Sequence, residues 1–520
     1  MTLAVVRRTT TCAVGLRAGQ LACLALPEVP TGIHWIQVRG DWRLRGRANF
    51  VTVALCRPNR PSPPADLPRC SVPGQTAGHS TGASLRGVRN LILDGRLPLQ
   101  TRLAPERALA EALGVSRNTV TAAYRRLRDE GYLTARQGSG TFTTLPAGHD
   151  FHGDITVPAG VRFDLTVATL PAPPCLPDAV IAASQQLHPW LDHHGYHPLG
   201  LPPLRAALAA RYTARGLVTG PEQILVTSGA LHGLHLVAAT LVAARDHVAV
   251  EIPTYPAAID LFRARRARLI AIPVNAAGWD LDHLTGNLQQ SRPTLAYLIP
   301  DYHNPTGALM DAGARRQVAL AAARAGSYLV ADETSVDLQL RPSTPPGPLT
   351  SALPTHSLHI GSMSKGYWGG LRVGWVRADT TVITRLARAR TITDMASPVL
   401  DQLVSLHLLD NAATILEDRR RLAQQRQAAL LDALHRQLPD WEVTPASGGL
   451  SAWVKLPKSR ASTLAAQALD NSVAIIPGPR FAPIPGALQH FLSLPHTLPA
   501  PILEHAIDAL ASVDRPHTGL

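Results

Sequence analysis

Ser362-Met-Ser-Lys-Gly-Tyr-Trp-Gly-Gly-Leu-Arg-Val-Gly-Trp375 follows the apolar run Leu358–Gly361 and places a lysine in a loop rich in glycine and serine. The chain has 520 residues but only three lysines, Lys365, Lys455 and Lys458, so Lys365 reads as a chemical group rather than surface filler. Seven residues on, Arg372 supplies a fixed cation. Working outward toward the N-terminus, Asp332 ends the run Tyr328–Ala331, and Asn304 opens Asn-Pro-Thr-Gly after Leu295–Ile299. Tyr255 lies between Pro253-Thr and Pro256, and Ser228-Gly229-Ala230 follows Ile224–Thr227. Apolar strand-like runs alternating with helical stretches imply an α/β layer fold with a large, mostly parallel sheet. Ligands of such sheets gather at the strand ends, where these residues fall.

Together these groups supply what pyridoxal 5'-phosphate (PLP) needs: an amine for its aldehyde, a carboxylate for its pyridine nitrogen, donors for its phenolate oxygen and a cup for its phosphate. Lys365 is the amine and Asp332 the carboxylate. Asn304 donates to the phenolate oxygen, and Tyr255 stacks on the ring. Ser228, Gly229 and Ala230 aim backbone N–H groups and a helix dipole at the phosphate, with Ser362, Ser364 and Arg372 beside them. Each motif alone is weak, since Asn-Pro-Thr-Gly is commonly a turn and Ser-Gly-Ala a helix start. Their shared order carries the expectation.

The rest of the chain divides by charge and pattern. Residues 1–145 hold 20 Lys/Arg against 8 Asp/Glu, whereas residues 146–520 hold 30 against 29, so nearly the whole net charge of +13 lies in the first segment. A polyanionic partner belongs there. Residues 1–80 show no sustained period and are expected to be a disordered or mis-started extension. Residues 146–162 read as a linker, and residues 163–515 as the large domain with a smaller C-terminal α/β lobe. Four of five cysteines precede residue 80 in no zinc spacing, so no metal is expected. One cysteine in the body suits a reducing, cytoplasmic compartment. No apolar run approaches the roughly 20 residues of a membrane span. Arg17 interrupts the only leader-like stretch.

Residues 83–145 have a different period. Leu85, Val88 and Ile92 share a helical face, a second helix is expected near 105–113, and Ser116 is placed to cap a third. With Val120, Ala123, Tyr124 and Leu127 inward, the opposite face of that third helix presents Arg117, Asn118, Thr121, Arg125 and Arg128. Arginine and asparagine near the start of such a helix suit base edges, and later arginines suit phosphates. Tyr132–Arg136 and Thr141–Thr144 flank Gln137-Gly-Ser-Gly as a hairpin.

From Leu103 to Tyr124, and again at Gly131-Tyr-Leu and Gly138-Ser-Gly-Thr-Phe, the chain resembles the GntR-type winged helix-turn-helix. The resemblance implies operator binding through Arg107, Ser116, Arg117, Asn118, Thr119 and the wing tip at Gly138 and Ser139. From about residue 163 to 515 it resembles the fold-type I, class I/II aminotransferases, with supporting matches at Gly195-Tyr196, Gly200, Leu204-Arg205 and Gly370-Leu-Arg-Val-Gly-Trp. Both halves together resemble the MocR subfamily of GntR regulators. That likeness implies a PLP-dependent fold, a head-to-tail homodimer in which Tyr196 reaches the neighbouring phosphate, and a regulator that senses PLP or a small amine or amino acid. Two departures bear on catalysis. No tyrosine follows Asp332, leaving Thr334 as the nearest hydroxyl, and Phe491 stands where the family's carboxylate-binding arginine is expected. A phenyl ring cannot form that bidentate pair, so weak or absent transaminase activity is expected. A working aminotransferase with a tethering DNA domain, and a DNA reader whose large domain only dimerises, are the alternatives.

Overall fold

The computed structural model describes the backbone of four strands between residues 12 and 56, Val88, Ile92, residues 101–144 other than 114, 137 and 139, and residues 160–514 other than 343–345 and 351–353. The chain divides into two units, Met1–Asp150 and Phe151–Leu520.

In the first unit β1 (Cys12–Arg17) pairs antiparallel with β2 (Gln20–Ala25), and β3 (Ile33–Arg39) with β4 (Phe50–Cys56). These four strands lie within residues 1–80, the stretch expected to be a disordered or mis-started extension. Ile33-His-Trp-Ile-Gln-Val and Phe50-Val-Thr-Val-Ala are rich in the β-branched and aromatic residues that favour a pleated ladder. Val88 and Ile92 are helical, and Ile92 is buried; Leu85 lies outside the described residues. The helices Glu106–Leu113 and Arg117–Asp129 follow. The second begins at Ser116 because its Oγ accepts the Thr119 N–H at 3.1 Å. Val120, Ala123, Tyr124 and Leu127 are buried as predicted, and the Tyr124 hydroxyl donates to the Ala104 carbonyl at 2.9 Å. Then β5 (Leu133–Arg136) and β6 (Gly140–Thr143) form the antiparallel wing.

The second unit opens with β7 (Phe163–Leu165). Its main sheet is built from β8 (Ile224–Thr227), β9 (His247–Ile252), β10 (Arg268–Asn275), β11 (Gly278–Trp279), β12 (Leu295–Leu298), β13 (Tyr328–Asp332), β14 (Ser357–Ser362) and β15 (Gly374–Arg377). The spatial order is β11-β10-β9-β12-β13-β14-β15-β8. From β10 to β14 neighbours are parallel, while β15 runs against both its neighbours. The carboxyl ends of β8, β9, β12, β13 and β14 therefore share one edge. Leu225, Val250, Val330 and Ile360 pack beneath the helices Ala230–Leu241 and Thr380–Arg390. Ala249, Leu298 and Ala331 pack beneath Leu281–Ser291 and Ala312–Ala325 on the other face. Residue alternation along each strand thus feeds two helical layers, and each large side chain buried there contributes about 1.5–3 kcal/mol.

Three helices follow, Thr380–Arg390, Val399–Asp410 and Ala412–Gln437, with Pro398 immediately before the second. The small lobe follows, with β16 (Glu442–Val443), β17 (Ser451–Lys455), β18 (Val473–Pro477) and β19 (Phe491–Pro495) in the order β16-β17-β19-β18-β7. The pairing of β7 with β18 is parallel and stitches the unit's start to its end.

Candidate functional site

A cavity of about 340 Å³ opens at the strand ends, and its lining includes Ala230, Tyr255, Asn304, Asp332, Thr334, Ser362, Ser364, Lys365 and Arg372. Of the residues expected to hold PLP, the cavity brings together Ala230, Tyr255, Asn304, Asp332, Ser362, Ser364, Lys365 and Arg372. Lys365 follows β14, and its Nζ donates to the Ala168 carbonyl at 2.7 Å. Burial lowers its pKa to about 8, against the opposing pull of Asp332. Asp332 ends β13 and is only 7% exposed. Its Oδ2 accepts the Tyr297 O–H at 2.5 Å and its Oδ1 the Thr334 N–H at 3.0 Å. Burial raises the Asp332 pKa overall, while these two donors pull it down.

Asn304 and Tyr255 are half-buried in the wall, at the ends of the segments that leave β12 and β9. Thr334 lines the cavity through the segment its own amide ties to Asp332. The Ser362 hydroxyl bonds Ser364 Oγ at 3.0 Å and takes the Ser364 N–H at 3.1 Å, which shapes the turn that presents Lys365.

The phosphate cup differs in detail from expectation. Gly229 has φ +92°, a conformation that side chains rarely adopt, and a Cβ there would lie 2.7 Å from Arg372 Nη2, so a larger residue would be strained and would displace the guanidinium. Arg372 Nη2 donates to the Ser228 carbonyl at 3.0 Å. Ser228 does not line the cavity with its hydroxyl, which donates instead to Asp394 Oδ2 at 3.0 Å. The Ser228 N–H donates to His232 Nδ1 at 3.1 Å. Burial works against the Asp394 charge, yet Arg390 holds its carboxyl below the usual range. Arg390 is fully buried and also donates to the Pro198 and Val226 carbonyls and to Ser397 Oγ. Next to Asp394, Ile392 is 91% exposed. Tyr196, 54% exposed, lies outside the cavity of its own chain.

Several lining residues were not anticipated: Ala168, Thr169, Tyr302, His303 and the run Gly448–Ser451 from the small lobe. Gly448 is where a Cβ would meet the Tyr302 ring at 2.1 Å, so the small lobe packs directly on that phenol. His303 Nε2 is 3.3 Å from the buried Glu251 carboxylate, and its Nδ1 is 2.9 Å from Thr306 Oγ1. Phe491 does not line the cavity. Its ring stacks on Trp453 with centroids 5.1 Å apart, and Trp453 meets Phe481 edge-on. An aromatic group thus occupies the strand where an arginine was expected. Lys365 and Arg372 are the lysine and arginine side chains among the described lining residues.

The residues fit PLP. An amine, a carboxylate and a guanidinium face one cavity, and the glycine cradle beside Arg372 leaves backbone N–H groups at the start of the helix Ala230–Leu241.

In the first unit, Arg107, Ser116, Arg117, Asn118 and Arg125 are exposed, as a reading surface requires. Thr119 is half-buried, and its hydroxyl pairs with Ser116 Oγ at 2.8 Å, so both belong to the cap. Thr121 donates to Glu106 Oε2 at 2.7 Å, which ties the two helices of the motif. Gly138 is exposed with φ +71° at the wing tip, and Ser139 lies outside the described residues.

Comparison with known proteins matches residues 168–489 to the aminotransferase class I and II family and residues 86–143 to the bacterial regulatory proteins of the gntR family. The chain is 30% identical to the HTH-type pyridoxine biosynthesis transcriptional regulator PdxR of Corynebacterium glutamicum, over 78% of this chain and 90% of that protein. It is 29% identical to the probable rhizopine catabolism regulatory protein MocR of Rhizobium meliloti, over 68% and 77%. Among solved structures it resembles the α-aminoadipate aminotransferase LysN of Thermus thermophilus, complexed with N-(5'-phosphopyridoxyl)-L-leucine, with a TM-score of 0.61 at 29% identity over 68% of this chain and 91% of that one. The chain belongs to the aminotransferase class I and II family, and it joins to that fold a GntR-type DNA-binding domain, the architecture of the MocR regulators.

Proposed function

We propose that the chain is a PLP-dependent, DNA-binding transcriptional regulator whose second unit senses PLP or a small amine. The observation that carries it is the convergence of Lys365, Asp332 and Arg372 on one cavity, in a chain that also presents a basic recognition helix. When bound, PLP supplies an aldehyde that condenses with primary amines and a ring that draws electrons. Lys365 is the group that holds it. The depressed pKa of that amine leaves a large neutral, nucleophilic fraction near pH 8. Asp332 would hold a proton at the ring nitrogen. Arg372 and the amides at the start of Ala230–Leu241 would take the phosphate. Asn304 would donate to the phenolate oxygen.

An effector amine competes with Lys365 for one place in the cavity. Effector control of DNA binding requires that the ligand favour one of two arrangements of the protein. The Phe491–Trp453 stack offers no charge partner to a carboxylate, which suits sensing better than turnover. Tyr196, exposed on its own chain, is available to a second copy in a head-to-tail dimer.

Gel-shift titration of the DNA upstream of its own gene, with and without PLP, tests the proposal. PLP is expected to change the affinity or the number of retarded species, and identical binding removes the sensing role. Rapid mixing with a panel of amino acids, followed by a keto acid, separates the alternative: fast conversion to the pyridoxamine form and fast return from it would make the chain a working aminotransferase.

A further inference from the structure

Asp332 presents an electrostatic problem that its place at a strand end does not solve. Its carboxyl is enclosed, and burial alone favours the neutral acid, which cannot serve as counter-ion to a protonated pyridine nitrogen. Glu251 on β9 faces the same region and adds repulsion. Lys365 from the loop after β14 attracts, and the Tyr255 phenol stands nearby at the start of its helix.

Tyr297 lies on β12, beside β13 in the parallel pairing, with Val330 as its register partner. Its ring is fully buried, with the Phe262 ring edge-on at 6.1 Å. A rigid central strand therefore delivers one hydroxyl to the end of its neighbour, where it donates to Asp332 Oδ2 at 2.5 Å. The Thr334 N–H donates to the other oxygen at 3.0 Å. A carboxylate accepts at both oxygens, whereas a neutral acid must keep a proton on one of them. The pair of donors thus favours the ionised form against the burial that opposes it.

We propose that Tyr297 is a positioning residue for the cofactor: its hydroxyl holds Asp332 ionised and oriented, so that the pyridine nitrogen of bound PLP stays protonated. This rests on the PLP-binding reading. Its direct readout is the protonation state of that nitrogen, measured by nitrogen NMR on the full-length protein loaded with 15N-labelled PLP.

The wild type is expected to hold the nitrogen protonated at neutral pH. Tyr297→Phe keeps the ring and removes only the donor, so the fold and the thermal melting point should be nearly unchanged. The nitrogen should then lose its proton at a pH lower by about one unit, a tenfold change in the protonation constant. Asp332→Asn marks the limit of complete loss. Uniform 3-fluorotyrosine, whose phenols donate more strongly, should move the titration the opposite way and serves if Tyr297→Phe fails to fold. A wild-type titration in Tyr297→Phe, or no displacement with fluorotyrosine when that arm is needed, overturns the proposal. So does a wild-type nitrogen already unprotonated at neutral pH. Failure of the wild type to take up PLP, or a visible absorbance band that survives Lys365→Ala, overturns the cofactor reading instead.

Discussion

Lys365 was legible because the composition isolates it, and Asp332 because it ends an apolar run. Tyr297 was not: in Leu295-Ala-Tyr-Leu it resembles any aromatic in a buried strand, and only the register with β13 reveals its acceptor. Asp394 was equally hidden, since it meets Ser228 across 166 residues and no local period records such a pairing. The cause of the Lys365 shift fixes its pH behaviour. Its folded pKa of about 8 lies below the ordinary lysine value, so across that interval the unfolded chain binds more protons, and this group's contribution to stability grows as pH rises. Capture of PLP by the apo-protein should accelerate with pH and level off above about 8. Rapid-mixing absorbance checks this, and Lys365→Ala should abolish capture altogether. Gly229→Ala should weaken PLP binding by roughly one to two orders of magnitude, because the added methyl collides with Arg372 and the backbone has positive φ. Fluorescence titration reads that loss.

The element most fully foreseen is the recognition helix, where a period of 3.6 and a capping serine leave little ambiguity. Strand β15 was missed because Arg372-Val-Gly-Trp carries a cation and a glycine where a strand pattern wants alternation. Its place is set by antiparallel pairing to β14 and β8, which is tertiary information. β7 was missed because three residues are too few to show a period. Ser116→Ala should cost about 1 kcal/mol of stability in the DNA-binding unit, since it unpairs the Thr119 N–H. Thermal unfolding of that unit measures it. Arg117→Ala leaves the buried face intact and should reduce operator affinity about 10-fold to 100-fold, as expected for one lost base contact. Gel shifts on specific and scrambled DNA distinguish this from a uniform phosphate effect.

At the scale of the molecule, charge and chemistry are divided between two units. Operator affinity should therefore fall steeply with salt, while PLP uptake, governed by buried groups, should change little over the same range. Parallel titrations at several ionic strengths compare the two. One buried side chain has consequences beyond its own surroundings. Arg390 clasps Pro198, Val226, Asp394 and Ser397, so the segment entering the phosphate cup and the segment bearing Ile392 share a single keystone. Neither can drift without pulling on the other. A lysine at position 390 would offer a point where the arch needs a fork, and the slack would be felt at both footings: cofactor held less firmly, and the outlying loop newly open to a protease.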